Sequence, residues 1–301
     1  MRTALLALSR NPSMRHFTES SSLGKRISRR FVAGLDLEDA LAAVAAVNQL
    51  GMSATLDPLG ENVDSQAAAE QAAATACGIL DAISRRQVHS NLSVKLTQLG
   101  LDLGLELARR QLQSILDRAA HLQTFIRVDM EGADYTATTL ALVEELHAGG
   151  ANVGTVLQAY LHRTAADLER LVGKGIRLRL VKGAYREPAA LALQDKAEVD
   201  ANYVRLMQRL LDSGLYHAIA THDERIIEAT VAYARQRHIA PDVFEFQMLY
   251  GIRRDLQQRL TREGWRVRIY IPFGPEWYPY FMRRLAERPA NLLFLLKNLV
   301  K

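Results

Sequence analysis

The chain has 301 residues, of which 49% are hydrophobic and 24% are charged. This apolar fraction suffices for a large core and excludes a disordered chain. The single cysteine, Cys77, excludes an internal disulfide and a cysteine-based zinc cluster. The formal net charge of +5 permits an anionic cofactor, an acidic substrate or a membrane surface, and it does not demand nucleic acid.

The two ends of the sequence predict no membrane-spanning segment. The apolar run at residues 3–9 ends at Arg10 and lacks a small-residue cleavage site, so it does not indicate a secretory signal, whose hydrophobic region usually has about 7–15 residues. Residues 291–300 include Lys297 and fall short of the roughly 20 apolar residues of a spanning helix. A basic cluster, formed by Lys25, Arg26, Arg29 and Arg30, is typical of a solvated helix face, although it also suits anionic lipid. We therefore expect a cytoplasmic protein, and we leave open a peripheral contact with the inner face of the cell membrane.

Short β-rich runs recur along the chain, and each ends near polar or glycine residues. They cover residues 52–57, 91–96, 124–129, 153–158, 176–181, 217–221, 243–247 and 267–271. Between them lie segments such as 105–119 and 164–171, where apolar residues at i, i+3 and i+4 spacing predict helices. Strands that alternate with helices without a break in composition predict parallel βα units, and eight such units close into a (βα)₈ barrel of the TIM type.

A doubly wound open sheet is the competing α/β architecture. It more naturally has about five to seven strands, and to bind a dinucleotide it needs G-x-G-x-x-G after the first of them. Neither that sequence nor the phosphate loop G-x-x-x-x-G-K-[ST] occurs in the chain. We therefore predict a barrel at residues 51–301 and a helical segment at residues 1–50 that packs against it.

Polar residues interrupt the apolar runs where the predicted strands end. They are Lys95, Asp129, Gln158, Arg179, Thr221, His222, Gln247 and Tyr270. Barrel enzymes place their chemistry at the carboxyl ends of the strands, and charged groups buried there are costly unless they pair or bind something. These residues predict an active site, and an ion-pair network that binds no ligand is the alternative.

Two local motifs strengthen this prediction. Residues 179–185 (RLVKGAY) lead from a strand into a glycine-containing turn, where small residues let the backbone approach a ligand and Lys182 suits a phosphate. Tyr280, Arg283, Arg284 and Glu287 share one face of a predicted helix after the eighth strand. Two adjacent guanidinium groups suit a carboxylate, and a solvated Arg/Glu face is the alternative for this helix taken alone.

Four motifs, in this order, carry a resemblance to a known family. They are residues 93–100 (SVKLTQLG), 179–185 (RLVKGAY), 245–251 (EFQMLYG) and 280–287 (YFMRRLAE). Between about Gly34 and Asn291 the chain resembles proline dehydrogenase in its monofunctional bacterial form, a (βα)₈ barrel distorted for flavin binding. The resemblance implies noncovalent FAD and oxidation of L-proline to Δ1-pyrroline-5-carboxylate by hydride transfer from proline C5 to flavin N5. It also implies that a membrane quinone reoxidises the flavin, and that the reaction is the first step of proline catabolism.

The same resemblance implies roles for individual positions. Catalytic roles fall to Lys95, Asp129 and Arg179, with Arg179 beside the flavin N5 and Asp129 paired with Lys95. The substrate-binding positions are Lys95, Arg283, Arg284, Tyr270, Tyr280, Leu249 and Glu61. The cofactor-binding positions are Met130, Gln158, Arg179, Lys182, Gly183, Ala184, Thr221, His222 and Gln247. Glu61 would pair with Arg283 and close over the substrate.

Oxidation of a secondary amine next to a carboxylate needs an anion clamp, an apolar slot for the ring and a well-positioned flavin. No residue is an obvious dedicated base, so we expect proline to react as the free amine. A flavin barrel that reduces a folate-type substrate is the runner-up, but it has no need for paired arginines on the last helix. A nucleic-acid-binding protein would need a basic stripe with interleaved aromatics, and a lipid-surface protein would leave Arg179 and Asp129 unexplained.

Overall fold

The computed structural model describes residues 31–278 together with Tyr280 and Met282. Helices and strands alternate along this part of the chain. The helices are α1 (Leu37–Gln49), α2 (Gln66–Arg86), α3 (Leu105–His121), α4 (Ala133–Ala148), α5 (Thr164–Gly173), α6 (Lys196–Asp212), α7 (Glu224–Gln236) and α8 (Arg254–Arg262). The strands are β1 (Ser53–Pro58), β2 (Ser90–Val94), β3 (Ile126–Val128), β4 (Val153–Gln158), β5 (Leu178–Val181), β6 (His217–Ala220), β7 (Phe244–Leu249) and β8 (Val267–Phe273).

The strands pair in parallel from β1 to β8, and β8 returns to β1 to close the barrel. The closing seam runs from Ser53 opposite Arg268 to Pro58 opposite Phe273. The predicted (βα)₈ barrel is confirmed, and each observed strand overlaps the run predicted for it. The short β3 ends at Val128, so Asp129 lies just beyond its carboxyl end.

The helices cover the outside of the barrel because one face of each is apolar. In α3 the buried residues Leu112, Ile115, Leu116 and Ala119 recur at helical spacing and join the same core as the strands. Helix α1 precedes β1 and buries its own apolar face in this core. Within the described residues, no helix combines the length and hydropathy needed to cross a bilayer. The basic cluster at Lys25, Arg26, Arg29 and Arg30 lies outside the described residues.

The inside of the barrel is strongly polar, whereas barrels of this type are mostly filled with branched aliphatic side chains. Arg179 of β5 hydrogen-bonds Gln247 of β7 and Ser93 of β2. These strands are not neighbours in the sheet, so their side chains meet across the interior. Buried polar groups of this kind must satisfy one another, and the bonds they form fix the positions of the side chains at the barrel mouth.

Candidate active site

Arg179 lies at the centre of the polar network at the carboxyl ends of the strands. Its guanidinium donates to Asp129 Oδ1 at 2.6 Å, to the Gln247 side-chain carbonyl and to Ser93 Oγ at 3.3 Å. Only 5% of Arg179 is exposed. A buried guanidinium is tolerated when it is paired and fully hydrogen-bonded, and here the three partners come from three other strands or their ends. Arg179 is thereby held in one position.

Tyr270 of β8 belongs to the same network. Its hydroxyl donates to Asp129 Oδ2 at 2.6 Å, and its ring centroid lies 5.1 Å from the guanidinium carbon of Arg179. Burial and the neighbouring Asp129 raise the pKa of Tyr270 well above its ordinary value. The phenol therefore stays protonated and keeps donating to Asp129, which also accepts from Ser93 Oγ at 3.1 Å.

Lys95 is buried just beyond the end of β2, and its ion-pair partner differs from the predicted one. Its Nζ lies 2.6 Å from Asp57 Oδ1 at the end of β1, whereas Asp129 was expected as its partner. The reason is that Asp129 is already held by Arg179, Tyr270 and Ser93. Burial alone would lower the pKa of Lys95, but the carboxylates of Asp57 and Asp129 outweigh this effect and raise it. Burial raises the pKa of Asp57 in spite of the ammonium beside it.

Gln158 at the end of β4 and Glu131 after β3 form hydrogen bonds that link the ends of neighbouring strands. Gln158 Nε2 donates to the Glu131 backbone carbonyl at 3.0 Å, and the Glu131 carboxylate accepts from the backbone N–H of Thr97 at 3.2 Å and from its hydroxyl. Burial raises the pKa of Glu131. Gln158 is 2% exposed, and its side-chain carbonyl accepts no hydrogen bond from the described residues. That oxygen is an acceptor available to a ligand.

Lys182 follows β5 directly, in the middle of the 179–185 motif, and is held by two carboxylates. Its ammonium pairs with Asp200 and, at 2.7 Å, with Asp223. Burial would raise the pKa of both carboxyls, but their bonds to Lys182 lower it below the ordinary range. Lys196 pairs with Asp200 as well, so these four charges cancel.

Gly183 has a backbone conformation that glycine alone adopts easily. Its φ is +118°, and a Cβ there would lie 2.1 Å from the ring of Tyr160. The backbone of the loop that follows β5 therefore packs directly on the ring of Tyr160, with no space for a side chain between them. Ala184, the next residue, is exposed.

Thr221 and His222 follow β6 and tie the loops together. The backbone N–H of Thr221 donates to the backbone carbonyl of Gln247 at 3.2 Å. The Thr221 hydroxyl accepts from the backbone N–H of Asp223 at 3.0 Å. His222 Nε2 accepts from the backbone N–H of Leu249 at 2.8 Å. Both side chains thus hold neighbouring loops in place beside the mouth.

The remaining predicted positions are less fully defined. Met130 and Tyr280 are buried, and Glu61 and Leu249 are half-buried. Tyr280 packs in a cluster with Phe31, Leu59, Trp277 and Tyr278. Arg283 and Arg284 lie outside the described residues, so the pairing of Glu61 with Arg283 stays a prediction. The structure brings together Lys95, Asp129, Arg179, Gln247 and Tyr270.

Four further polar residues complete the network and were not singled out from the sequence: Asp57, Ser93, Glu131 and Glu245. Asp57 closes the first predicted strand, so the rule that selected Lys95 and Asp129 also applies to it. Glu131 lies two residues after Asp129, in the loop that follows the same strand. Ser93 and Glu245 begin two of the motifs that carry the family resemblance, but both lie within strands and no role was predicted for either. Glu245 accepts from Gln247 and from Arg268 at 2.8 Å.

Comparisons with known proteins identify the family of the chain. The model of the family described as proline dehydrogenase matches residues 40–297. Proline dehydrogenase 1 of Bacillus subtilis (strain 168) is 42% identical over 302 residues, which cover 100% of this chain and 99% of that protein. Proline dehydrogenase of Deinococcus radiodurans is 41% identical over 311 residues, covering 100% of this chain and 98% of that protein.

A solved structure supports the same assignment. Proline utilization A (PutA) from Bdellovibrio bacteriovorus, inactivated by N-propargylglycine, superposes with a TM-score of 0.82 and 25% identity, covering 87% of this chain and 32% of that chain. The predicted family is therefore confirmed by its family model and by relatives of similar length. The chain belongs to the proline dehydrogenase family.

Proposed function

We propose that the mouth of the barrel binds FAD and L-proline and oxidises proline to Δ1-pyrroline-5-carboxylate. Membership of the family makes the chain an enzyme of proline oxidation in proline catabolism. The observation that carries the finer proposal is the buried network of Asp129, Arg179 and Tyr270, with Lys95 beside it, at the carboxyl ends of the strands. This is the end of the barrel at which such enzymes carry out their chemistry.

The substrate carboxylate needs cations, and the mouth supplies a fixed one. The Lys95 ammonium is buried and its pKa is raised, so its charge persists through neutral pH. We assign Arg283 and Arg284 to the same carboxylate on the basis of their motif, since guanidinium groups offer two parallel donors to an anion. We assign the ring of Tyr270, whose hydroxyl is held by Asp129, to an apolar wall for the pyrrolidine ring.

The donors and acceptors at the mouth fit a flavin. Arg179 presents a fixed guanidinium, and the carbonyl of Gln158 is an acceptor of the kind that a flavin N–H requires. When bound, FAD supplies the acceptor for the hydride that leaves proline C5. Both ends of the Gln247 amide are already engaged, by Arg179 and Glu245. Gln247 therefore acts by holding Arg179.

The diphosphate of FAD needs donors in the loops after β5 and β6. The ammonium of Lys182 is already balanced by Asp200 and Asp223, which also pair with Lys196. The backbone N–H groups of the tight turn at Gly183 and Ala184 are the alternative donors, because a turn of this kind lets the backbone approach a phosphate. We assign Thr221 and His222 to the same side of the cofactor, since they fix the adjacent loop.

Asp129 and Asp57 are poor candidates for a general base. Asp129 accepts from Arg179, Tyr270 and Ser93, and Asp57 is paired with Lys95. A base must reach the proton that it removes, and these groups are occupied by other donors. We propose that proline binds as the free amine, and that a membrane quinone takes the electrons from the reduced enzyme.

The experiment that tests this function is optical. The purified chain is expected to show the absorbance of an oxidised flavin, which bleaches in the absence of oxygen when L-proline is added. Glycine, which has the same carboxylate but no ring, is the control and should leave the spectrum unchanged. A colourless protein, or a flavin that L-proline does not bleach, contradicts the proposal. Recovery of the spectrum on adding a quinone tests the proposed electron acceptor.

The pH dependence of kcat/KM is expected to be a single rising limb that follows deprotonation of the substrate amine. The pKa of Lys95 is raised in the folded state, so its ammonium is fully present below the ordinary value of about 10.4 and is lost only as the pH rises through the higher folded value. Tyr270, with its raised pKa, likewise stays protonated. Initial rates between about pH 6 and about pH 10 check this. A second limb that disappears in the Asp129→Asn variant would identify Asp129 as a base.

Replacing Gly183 with alanine is expected to weaken FAD retention by about tenfold or more, because a φ of +118° and a contact of 2.1 Å with Tyr160 force the loop to shift. The measurement is the ratio of flavin to protein after dialysis. Gly78→Ala in α2 is the matched control, since a Cβ there meets nothing within 4 Å. Alanine is the better helix former, so this control should keep its flavin. Equal flavin content in the two variants would mean that the Gly183 loop does not contact the cofactor.

A further inference from the structure

A second polar cavity lies at the opposite end of the barrel, where the strands begin. Its volume is about 610 Å³, which falls within the range of small-molecule sites. Residues before or at the start of the strands line it, among them Ser53, Asn91, Phe125, Arg177 and Tyr216. The proposed active site lies at the carboxyl ends of the same strands, and Glu245, which lines this cavity and bonds Gln247, lies between the two.

The cavity carries more positive than negative charge. Arg127, Arg177 and Arg268 line it together with a single carboxylate, Glu245. Glu245 pairs with Arg268 at 2.8 Å, and the second side of Arg268 donates to the Ala54 carbonyl at 2.6 Å. Within the described residues, neither Arg127 nor Arg177 forms an ion pair with a carboxylate. Two guanidinium charges are therefore left over.

Arg127 is the more deeply placed of these two side chains. It is 4% exposed, and its Nη1 donates to the backbone carbonyls of Thr155 at 2.8 Å and Arg177 at 2.7 Å, while its Nε has no partner among the described residues. Burial and repulsion from Arg179 lower the pKa of Arg127 well below its ordinary value. A charge buried in this way is costly unless a counter-charge accompanies it.

The neighbouring residues are arranged around these two guanidinium groups. A Cβ at Gly154 would lie 2.2 Å from the Arg177 backbone carbonyl, 2.9 Å from the ring of Phe125 and 3.0 Å from Arg127 Nη1, so the glycine makes room for all three. The Phe125 ring centroid lies 4.6 Å from the Arg127 guanidinium carbon and 4.1 Å from that of Arg177. One aromatic ring thus orients both groups.

We propose that this cavity binds a small organic anion, whose carboxylate or phosphate group is held by Arg127 and Arg177. Guanidinium groups present paired donors to either kind of oxyanion. The amides and hydroxyls of Asn48, Asn91, Ser53 and Ser90 also line the cavity and supply hydrogen bonds for the rest of the ligand. An oxyanion supplies the counter-charge that the described residues do not provide.

The test is the anion-dependent thermal stability of the purified 301-residue chain. Sulfate represents the tetrahedral oxyanions and malonate the carboxylates, and each is titrated at constant ionic strength against chloride. A ligand that binds only the folded state raises Tm in a saturable way. We expect at least one probe to do so beyond chloride, and the more effective probe distinguishes a phosphate from a carboxylate ligand.

Two variants assign the effect to this cavity. Arg177→Gln removes one of the surplus charges, and Asn91→Asp adds a carboxylate of the same shape whose Oδ1 still accepts from the Thr55 hydroxyl. Each should raise the concentration for the half-maximal shift by about tenfold or more. If Arg177→Gln does not fold, the Asn91→Asp variant alone still tests whether the anion binds in this cavity. Arg110→Gln on the exposed side of α3 removes the same charge elsewhere and should behave as the wild type.

Two results would overturn the proposal. One is a wild-type Tm that rises no further with sulfate or malonate than with chloride. The other is an anion effect that Arg177→Gln and Asn91→Asp both retain at the wild-type concentrations, because the anion would then be bound at the mouth or on the surface. Neither measurement uses catalytic activity, so the outcome is independent of the function proposed above.

Discussion

Replacing Asp129 with asparagine is expected to lower kcat with L-proline by about 100-fold and the free energy of unfolding by about 3 kcal/mol. Asp129 accepts from Arg179, Tyr270 and Ser93. Asparagine keeps one oxygen acceptor but loses the negative charge, so Arg179 stays buried without its counter-charge. Arg179 and Tyr270 then lose the fixed positions that a well-oriented reaction needs.

The measurements are initial rates with an artificial electron acceptor and unfolding in urea. Asp117→Asn is the matched control, because Asp117 is exposed on α3 and bonds only to Gln113. That variant should keep the wild-type kcat and change stability by no more than about 0.5 kcal/mol. A wild-type kcat in Asp129→Asn would show that the charge of Asp129 does not support the chemistry.

The fold followed from the sequence because its signals are local. Each strand is a short β-rich run and each helix has its own apolar periodicity, so counting eight alternations was enough to predict the barrel. Polar residues at the ends of the predicted strands were expected to form the active site. Four of them, Lys95, Asp129, Arg179 and Tyr270, lie together in the structure. The side chains that meet there come from positions that the strand order fixes.

The partners of these residues could not be read from the sequence. Val94 is opposite Val128 in the register of β2 and β3, so Lys95 and Asp129 follow at the same level. The actual pairs also depend on side chains that reach across the barrel from other strands. Arg179 reaches Asp129 in this way, so Asp129 is not the partner of Lys95. The sequence also did not predict that the arginines of the second cavity form a site. They lie at the beginnings of strands, where a single charge in the sequence is normally a solvated one.

Replacing Lys95 with methionine is expected to raise KM for L-proline by about 30-fold or more and to lower the free energy of unfolding by about 3–5 kcal/mol. The Lys95 and Asp57 side chains are only 11% and 2% exposed, and Nζ and Oδ1 are 2.6 Å apart. Methionine fills the same space but leaves Asp57 buried without a cation. The substrate carboxylate loses the same cation, so binding and stability fall together.

The double variant Lys95→Met/Asp57→Asn separates these two effects. It removes both charges, so most of the lost stability should return, while KM should stay high because no ammonium faces the substrate. Lys174→Met is the matched control, since the exposed Lys174 pairs with Glu144 on the outside of the barrel, and Arg170 still pairs with Glu144 when the ammonium is lost. Its KM should equal that of the wild type. A double variant that regains the wild-type KM would mean that Lys95 only neutralises Asp57, and that the proline carboxylate is bound by other groups.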